Sequence, residues 1–125
     1  MNLQAIAGEY AICRLPAGNP WPNWAMAGDS FCSVTRTPDE LSVVAEQASV
    51  PAGVVASRGW TLFRVAGTLP LDAIGIVSGI ARILADAKIS LACIATHDTD
   101  YFLVSQVHAA RARDALEQAG YRFTH

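Results

Sequence analysis

The second half of the chain switches repeatedly between the hydrophobic period of a β-strand and that of an α-helix, and this switching constrains the fold more than any other feature. Strand-like runs, rich in β-branched and aromatic residues, alternate with runs whose apolar residues recur every three or four positions. The predicted elements are a strand at 60–66, a helix from near residue 73, strands at 90–96 and 101–107, a helix at 109–119 and a strand at 121–124. Their order is βαββαβ.

This element order predicts an α+β fold of the ferredoxin-like type, with both helices on one face of the sheet. Asp72 is the expected cap of the first helix. Its expected buried stripe is Ile74, Val77, Ala81, Leu84 and Ala87. Neighbouring apolar pairs in the strands, such as Leu62 and Phe63, point to opposite faces, so we also expect the second face of the sheet to be covered.

The first half uses similar elements less regularly. Strands are predicted at 9–15, 31–35 and 54–57, with an irregular segment rich in Pro, Gly and Trp at 16–28 in place of one helix. Thr37 and Glu40 have the spacing of a capping box and predict a helix that starts there. Its expected apolar stripe is Leu41, Val44, Ala45 and Ala48. These patterns predict two domains, 1–58 and 59–125, of which the first is a degenerate repeat of the second.

Charge and composition exclude several partners. The formal net charge is −2 and no basic run occurs, which argues against nucleic-acid binding. No apolar run is long enough for a membrane span, and the N-terminus lacks the pattern of a secretory signal. Three widely spaced cysteines, Cys13, Cys32 and Cys93, are expected to be reduced and buried. We therefore expect a cytoplasmic protein without membrane contact.

The sequence contains none of the common catalytic patterns. We find no Ser-His-Asp arrangement, no metal-ligand spacing of Cys, His and carboxylates, and no glycine-rich phosphate loop. His97, Asp98 and Asp100 lie in one short loop and are the set most suited to acid–base chemistry. We expect no enzyme activity, no cofactor and no metal, and keep catalysis by this loop as a minor alternative.

Three segments resemble the ACT-domain family: residues 75–77, residues 94–104 and, in the first half, residues 33–44. The hairpin that ends in Thr99, Asp100, Tyr101, Phe102, Leu103 and Val104 is the most specific of them. The chain is most similar to small bacterial tandem ACT proteins, and it resembles the ACT repeats of eukaryotic cytosolic arginine sensors and, more distantly, aspartate kinases. The resemblance covers nearly the whole chain and implies two ACT repeats, the first degenerate.

The resemblance also implies a regulatory function. ACT domains generally bind small ligands, often amino acids, at interfaces between paired domains, and pass the signal to an enzyme or another partner. A homodimer would supply four repeats, the number found in the arginine sensors. The ligand-binding residues expected in this chain are Gly75, Ile76 and Val77, through their backbone, and Thr96, His97, Asp98 and Asp100, through their side chains.

Structural explanations compete with these binding roles. Gly75 is equally explained by close packing of a helix on a strand, Thr99 by local hydrogen bonding in a turn, and His97 by a solvated loop. Trp21 and Trp24 are better explained as core residues than as a ligand wall. For the whole chain, the principal alternative to a sensor is a structural module that binds another protein and no small ligand.

Overall fold

The computed structural model describes residues 1–124 and divides the chain into two compact units. The helical unit comprises Met1–Ala7 together with the chain from Thr61 onward, and the strand unit comprises Gly8–Trp60. Seven strands and two α-helices are found in the described residues: β1 (Asn2–Pro16), β2 (Ser33–Arg36), β3 (Glu40–Glu46), β4 (Val55–Val65), α1 (Ile76–Asp86), β5 (Ala92–Ala95), β6 (Asp100–Ser105), α2 (Ala109–Gln118) and β7 (Arg122–Thr124). Strands β1 and β4 contribute residues to both units.

The helical unit is a sheet with α1 and α2 packed on one face. Its strand order is β7-β1-β4-β6-β5, and β7 lies parallel to the first residues of β1. Phe63, Phe102, Leu84 and Leu116 are almost completely buried between the sheet and the helices. The rings of Phe63 and Phe102 stack at a centroid distance of 5.2 Å. The two faces of this sheet are both apolar, as expected: Leu62 and Leu103 are fully buried but lie outside the helix-facing cluster.

The first helix begins later than predicted. It starts at Ile76, after Gly75, and Asp72 lies in the preceding turn, so Asp72 does not cap it. The buried stripe is accordingly shifted: Ile80 and Leu84 are buried, whereas Ile74 is 95% exposed. A turn at residues 71–72 and an irregular segment lie between Pro70 and Gly75, so Ile74 precedes the helix.

The strand unit has four strands in the order β2-β3-β1-β4. Alternate residues of β1 and β3 lie opposite one another and form its core, in the pairs Ala11 with Ala45, Cys13 with Val43 and Leu15 with Leu41. The segment at 16–28 is irregular, as predicted, apart from a 3-10 turn at Asn23–Met26. Trp24 packs against the core from this segment, whereas Trp21 is 57% exposed.

The helix predicted after Thr37 is wrong, since these residues form strand β3. The Thr37 hydroxyl does accept a hydrogen bond from the Glu40 amide, at 3.1 Å, as a capping box requires. The same bond also closes a tight loop between two strands, however, and the β-branched residues Val43 and Val44 favour the strand. Ala48, predicted to be buried, is exposed.

Both units share one strand order. When the strands of each repeat are numbered along the chain, both units have the strand order 4-1-3-2. In the strand unit this order is β4-β1-β3-β2. In the helical unit it is β7-β4-β6-β5, with β1 inserted between β7 and β4. The chain is therefore an α+β protein with two ferredoxin-like repeats, the first of which has lost both helices. The expected division at residue 58 differs from these units chiefly in Met1–Ala7, which belong to the helical unit. His125, the last residue of the expected second domain, lies outside the described residues.

Two further observations concern the described residues. None of their helices is long and apolar enough to cross a membrane. Of the three cysteines, Cys13 is buried and Cys32 partly buried, but Cys93 is exposed, contrary to expectation. Cys93 lies on β5, at the edge of the sheet, where one side of the strand has no neighbour in the helical unit.

Candidate functional site

A cavity of about 180 Å³ opens between the start of α1 and the β5–β6 hairpin, and we call it the hairpin cavity. One wall belongs to the loop before α1 and to the first residue of that helix: Leu69, Pro70, Leu71, Ala73 and Ile76. The other wall belongs to the hairpin: Ala95, Thr96, His97, Thr99 and Asp100. Both walls lie within the helical unit.

Four of the seven predicted ligand residues line this cavity, namely Ile76, Thr96, His97 and Asp100. Gly75 instead lines a neighbouring cavity of about 300 Å³, which also includes Ile76 and Tyr121. Asp98 and Val77 line neither cavity. Thr99 and the loop residues before α1 are not among the predicted ligand residues, because residues in loops carry no periodic signal.

Gly75 owes its identity to backbone conformation. Its φ of +84° lies in the left-handed region, which side chains disfavour, and it occupies the cap position of α1. Close packing does not explain the residue, because a Cβ atom there would meet nothing nearer than the Ser78 hydroxyl, at 3.8 Å. The turn at Gly75 directs the chain into α1, whose first amides have no acceptor within the helix and carry its positive dipole end.

Thr96 organises the hairpin that forms the opposite wall. Its amide donates to the Thr99 carbonyl at 2.9 Å, and its hydroxyl donates to the same oxygen at 2.9 Å. The Thr99 amide in turn donates to the Thr96 hydroxyl at 3.3 Å. The Thr96 side chain is therefore largely engaged in holding the loop.

The same loop occurs in the strand unit. Thr37 occupies the position of Thr96, and its amide donates to the Glu40 carbonyl at 2.9 Å. Glu40 thus corresponds to Thr99, and each loop connects a pair of antiparallel strands, β2 with β3 and β5 with β6. The two hairpins therefore share one local structure.

Asp100 is the acidic group that faces the hairpin cavity. It is partly buried at the start of β6, and no side chain in residues 1–124 donates a hydrogen bond to its carboxylate. Cys93 lies on the adjacent strand, and part of it is exposed. The pKa of its thiol is raised chiefly by burial and secondly by the negative charge of Asp100. A half-buried carboxylate without an internal partner is suited to bind a cationic group.

His97 and Asp98 form a pair that faces solvent. The His97 Nδ1 atom lies 3.1 Å from Asp98 Oδ1, and the two side chains are 85% and 70% exposed. His97 lines the hairpin cavity together with Asp100, whereas Asp98 does not. Within the described residues, no group of three His, Cys, Asp or Glu side chains could hold a metal ion.

Sequence and structure comparisons place the chain among known proteins. Residues 55–118 match the ACT-domain family, and residues 8–53 match a family of N-terminal domains. No curated protein matches the chain. The first match covers the last part of the strand unit and most of the helical unit, including both walls of the hairpin cavity.

Three solved structures illustrate the similarity. A protein from Agobacterium tumefaciens is 34% identical, with a TM-score of 0.91 over 98% of this chain and 91% of that chain. A protein of unknown function from Vibrio cholerae, described as a possible transport protein, is 25% identical, with a TM-score of 0.75 over 94% of this chain and 88% of its own. The ligand-free regulatory subunit of aspartate kinase from Thermus thermophilus is 10% identical and shares the fold, with a TM-score of 0.60 over 90% and 91% of the two chains. The chain therefore belongs to the ACT-domain family.

Proposed function

We propose that this protein is a regulatory module without catalytic activity that binds an amino acid, or a similar small metabolite, in the hairpin cavity. The observation that carries the proposal is the Asp100 carboxylate, which lines the cavity and has no side-chain hydrogen-bond donor in residues 1–124. A ligand cation would pair with this carboxylate through a charge-assisted hydrogen bond.

The cavity has complementary polarity at its two walls. Ile76, the first residue of α1, brings the positive end of the helix dipole to one wall, and Asp100 brings a negative charge to the other. A zwitterion fits this arrangement, with its carboxylate at the helix amides and its ammonium or guanidinium group at Asp100. Gly75 would contribute by setting the conformation that exposes the helix amides.

The volume of the cavity favours a small ligand, and the exposed apolar residues beside it favour a second copy of the chain. Its volume of about 180 Å³ is below the range of roughly 300–1,000 Å³ that is typical of drug-sized ligands. It also opens to solvent beside two apolar side chains, Leu71 and Ile74, which are 75% and 95% exposed. Our proposal is a homodimer in which these residues contact the other copy and complete the site.

The relatives support regulation over catalysis. One structural neighbour is the regulatory subunit of an aspartate kinase, and another is an aspartate kinase described as an allosteric enzyme. By analogy, ligand binding here would favour one conformation, and a protein that recognises this conformation would respond to the metabolite.

A thermal-shift screen against the twenty L-amino acids tests the proposal. A ligand at about 100 times its Kd should stabilise the protein by about 2.7 kcal/mol, which corresponds to several degrees in Tm. Asp100→Asn keeps the size of the side chain but removes the charge, so it should abolish the shift. Asp114→Asn, on the exposed surface of α2, is the matched control and should retain it.

The exposed apolar residues Leu71 and Ile74 give the screen a second meaningful outcome. If no amino acid raises the Tm of the wild-type protein, the surface around these residues becomes evidence for a module that binds another protein without a small ligand. If a ligand is found but Asp100→Asn binds it equally well, the ligand occupies another site.

A further inference from the structure

Thr99 is a buried threonine beside the hairpin cavity, with only 3% of its surface exposed. Its hydroxyl donates to the Val65 carbonyl, at the end of β4, with a donor–acceptor distance of 2.7 Å. The adjacent residue contributes a second connection, because the Asp98 carbonyl accepts a hydrogen bond of 2.7 Å from the Leu69 amide. Leu69 lies on the opposite wall of the hairpin cavity from Thr99. Two short hydrogen bonds thus join the hairpin to the chain that leaves β4.

The corresponding loop of the strand unit shows that the Thr99 hydroxyl is not needed to build such a hairpin. There, Glu40 occupies the equivalent position. Its amide donates to the Thr37 hydroxyl at 3.1 Å, as the Thr99 amide donates to the Thr96 hydroxyl. The carbonyl of Asp39, which corresponds to Asp98, accepts instead from the Arg14 guanidinium at 3.1 Å. The bond from Thr99 to Val65 is therefore an addition found in the helical unit, beside the hairpin cavity.

We infer that Thr99 is a positioning residue, which fixes the separation of the two walls of the hairpin cavity by anchoring the hairpin to β4. The effect on ligand binding rests on the proposed function, whereas the anchoring of the hairpin to β4 can be measured without a ligand. The hydroxyl points to the Val65 carbonyl, so it acts through the placement of Thr96, Asp98 and Asp100 and not by contact with the ligand.

The structural test is amide hydrogen exchange on three variants of the full chain. Thr99→Val keeps the shape but removes the donor, and it should speed exchange of the Leu69 and Thr96 amides about tenfold, the factor expected for one lost hydrogen bond. Thr99→Ser retains the hydroxyl and should restore the wild-type rates. Thr68→Val, at an exposed threonine, controls for the loss of a hydroxyl elsewhere. Unchanged exchange at Leu69 in Thr99→Val would overturn the inference, as would an equal increase throughout the core of the helical unit.

Two further measurements separate this inference from the proposed function. In the wild-type protein, a hydroxyl proton donated to Val65 should exchange slowly enough to be observed by NMR, and its absence would also overturn the inference even if Thr99→Val does not fold. Using any amino acid that raises the wild-type Tm, Thr99→Val should bind at least about tenfold more weakly, and Thr99→Ser should bind normally. If Thr99→Val speeds amide exchange at Leu69 but binds the amino acid as tightly as the wild type does, Thr99 has no role in binding. If no amino acid binds the wild type, the proposed function fails and the anchor itself is still tested.

Discussion

At the scale of single residues, backbone conformation explains more of the site than side-chain chemistry does. Gly75 was predicted as a position where a ligand could approach the backbone, and the structure shows a left-handed φ of +84° at the start of α1. The requirement for glycine comes from the turn itself, whether or not a ligand is present.

Gly75→Ala should lower the free energy of unfolding by about 1 kcal/mol, because alanine is strained in the left-handed conformation. Urea unfolding checks this value. Gly18→Ala is the control, since Gly18 has no left-handed φ and a Cβ atom there would meet nothing within 4 Å. Equal effects of the two substitutions would contradict the conformational explanation.

The buried thiol of Cys13 predicts a pH dependence of stability. Burial raises the pKa of Cys13 above its ordinary value of 9.0, and the positive charge of Arg58 opposes this only in part. Above pH 9 the unfolded chain loses this proton while the folded chain still holds it, so stability falls as the pH rises through this range and is unaffected below it.

Wild-type protein should therefore lose stability between about pH 9 and pH 10 more steeply than Cys13→Ala, as measured by urea unfolding at several pH values. The alanine variant is less stable overall because it leaves a small void in the core of the strand unit. The informative quantity is the slope of the free energy of unfolding against pH, which should be shallower for the alanine variant. Parallel slopes for the two proteins would show that Cys13 titrates alike in the folded and unfolded states.

At the scale of elements, the sequence predicts most of the helical unit and less of the strand unit. Residues 54–57 and 60–66, expected as two strands, form the single strand β4, and the strand expected at 9–15 extends back to Asn2. Strands β5 and β6 and helix α2 lie close to their expected positions because each has a clear hydrophobic period and clear ends, such as Gly120 after α2. The sequence predicts a helix in place of β3 because Thr37 and Glu40 have the spacing of a capping box, and the structure makes the corresponding hydrogen bond inside a β-hairpin. Only the tertiary pairing of β3 with β1 and β2 decides between the two structures.

The two threonine-closed hairpins should make similar contributions to stability. Thr37→Val and Thr96→Val each remove side-chain hydrogen bonds to the loop backbone, and each should cost about 1 kcal/mol in urea unfolding. Because the two loops lie in different units and share no hydrogen-bond partner in the described residues, the double variant should lose nearly the sum. A strongly non-additive result would show that the loops are coupled.

The candidate site was predictable only in part, for a similar reason. Thr96, His97 and Asp100 belong to a hairpin that the sequence places correctly, and they do line the cavity. Asp98 could not be separated from them by sequence, since alternation does not describe a loop, and its side chain turns to His97 instead. Thr99 was interpreted as a turn former because its partner, Val65, is 34 residues away.

At the scale of the whole molecule, the order of the chain differs from the order of its domains. The expected boundary at residue 58 treats the repeats as consecutive, but the first seven residues belong to the helical unit. Leu3 is completely buried in the core of that unit, together with Phe63 and Leu116. Local patterns carry no information about such a distant pairing, so sequence analysis did not detect it.

A fragment that begins at Val55 should consequently fail to fold, although it contains every strand and helix of the βαββαβ order. It lacks the residues of β1 that lie between β4 and β7, as NMR or circular dichroism of the fragment would show. In the full chain, Leu3→Ala should cost about 2–5 kcal/mol, as expected for a buried leucine, whereas a change at the exposed Ala5 should cost little. A well-folded fragment would show that β1 is dispensable.

The position of β1 also has a consequence for synthesis on the ribosome. Residues 2–4 pair with residues 122–124, which are synthesised about 120 residues later. The strand unit can close once residue 60 has emerged, because all of its strands are then available. The helical unit must hold the start of β1 unpaired with β7 until residue 124 has emerged, so the unit that contains the hairpin cavity matures after the strand unit.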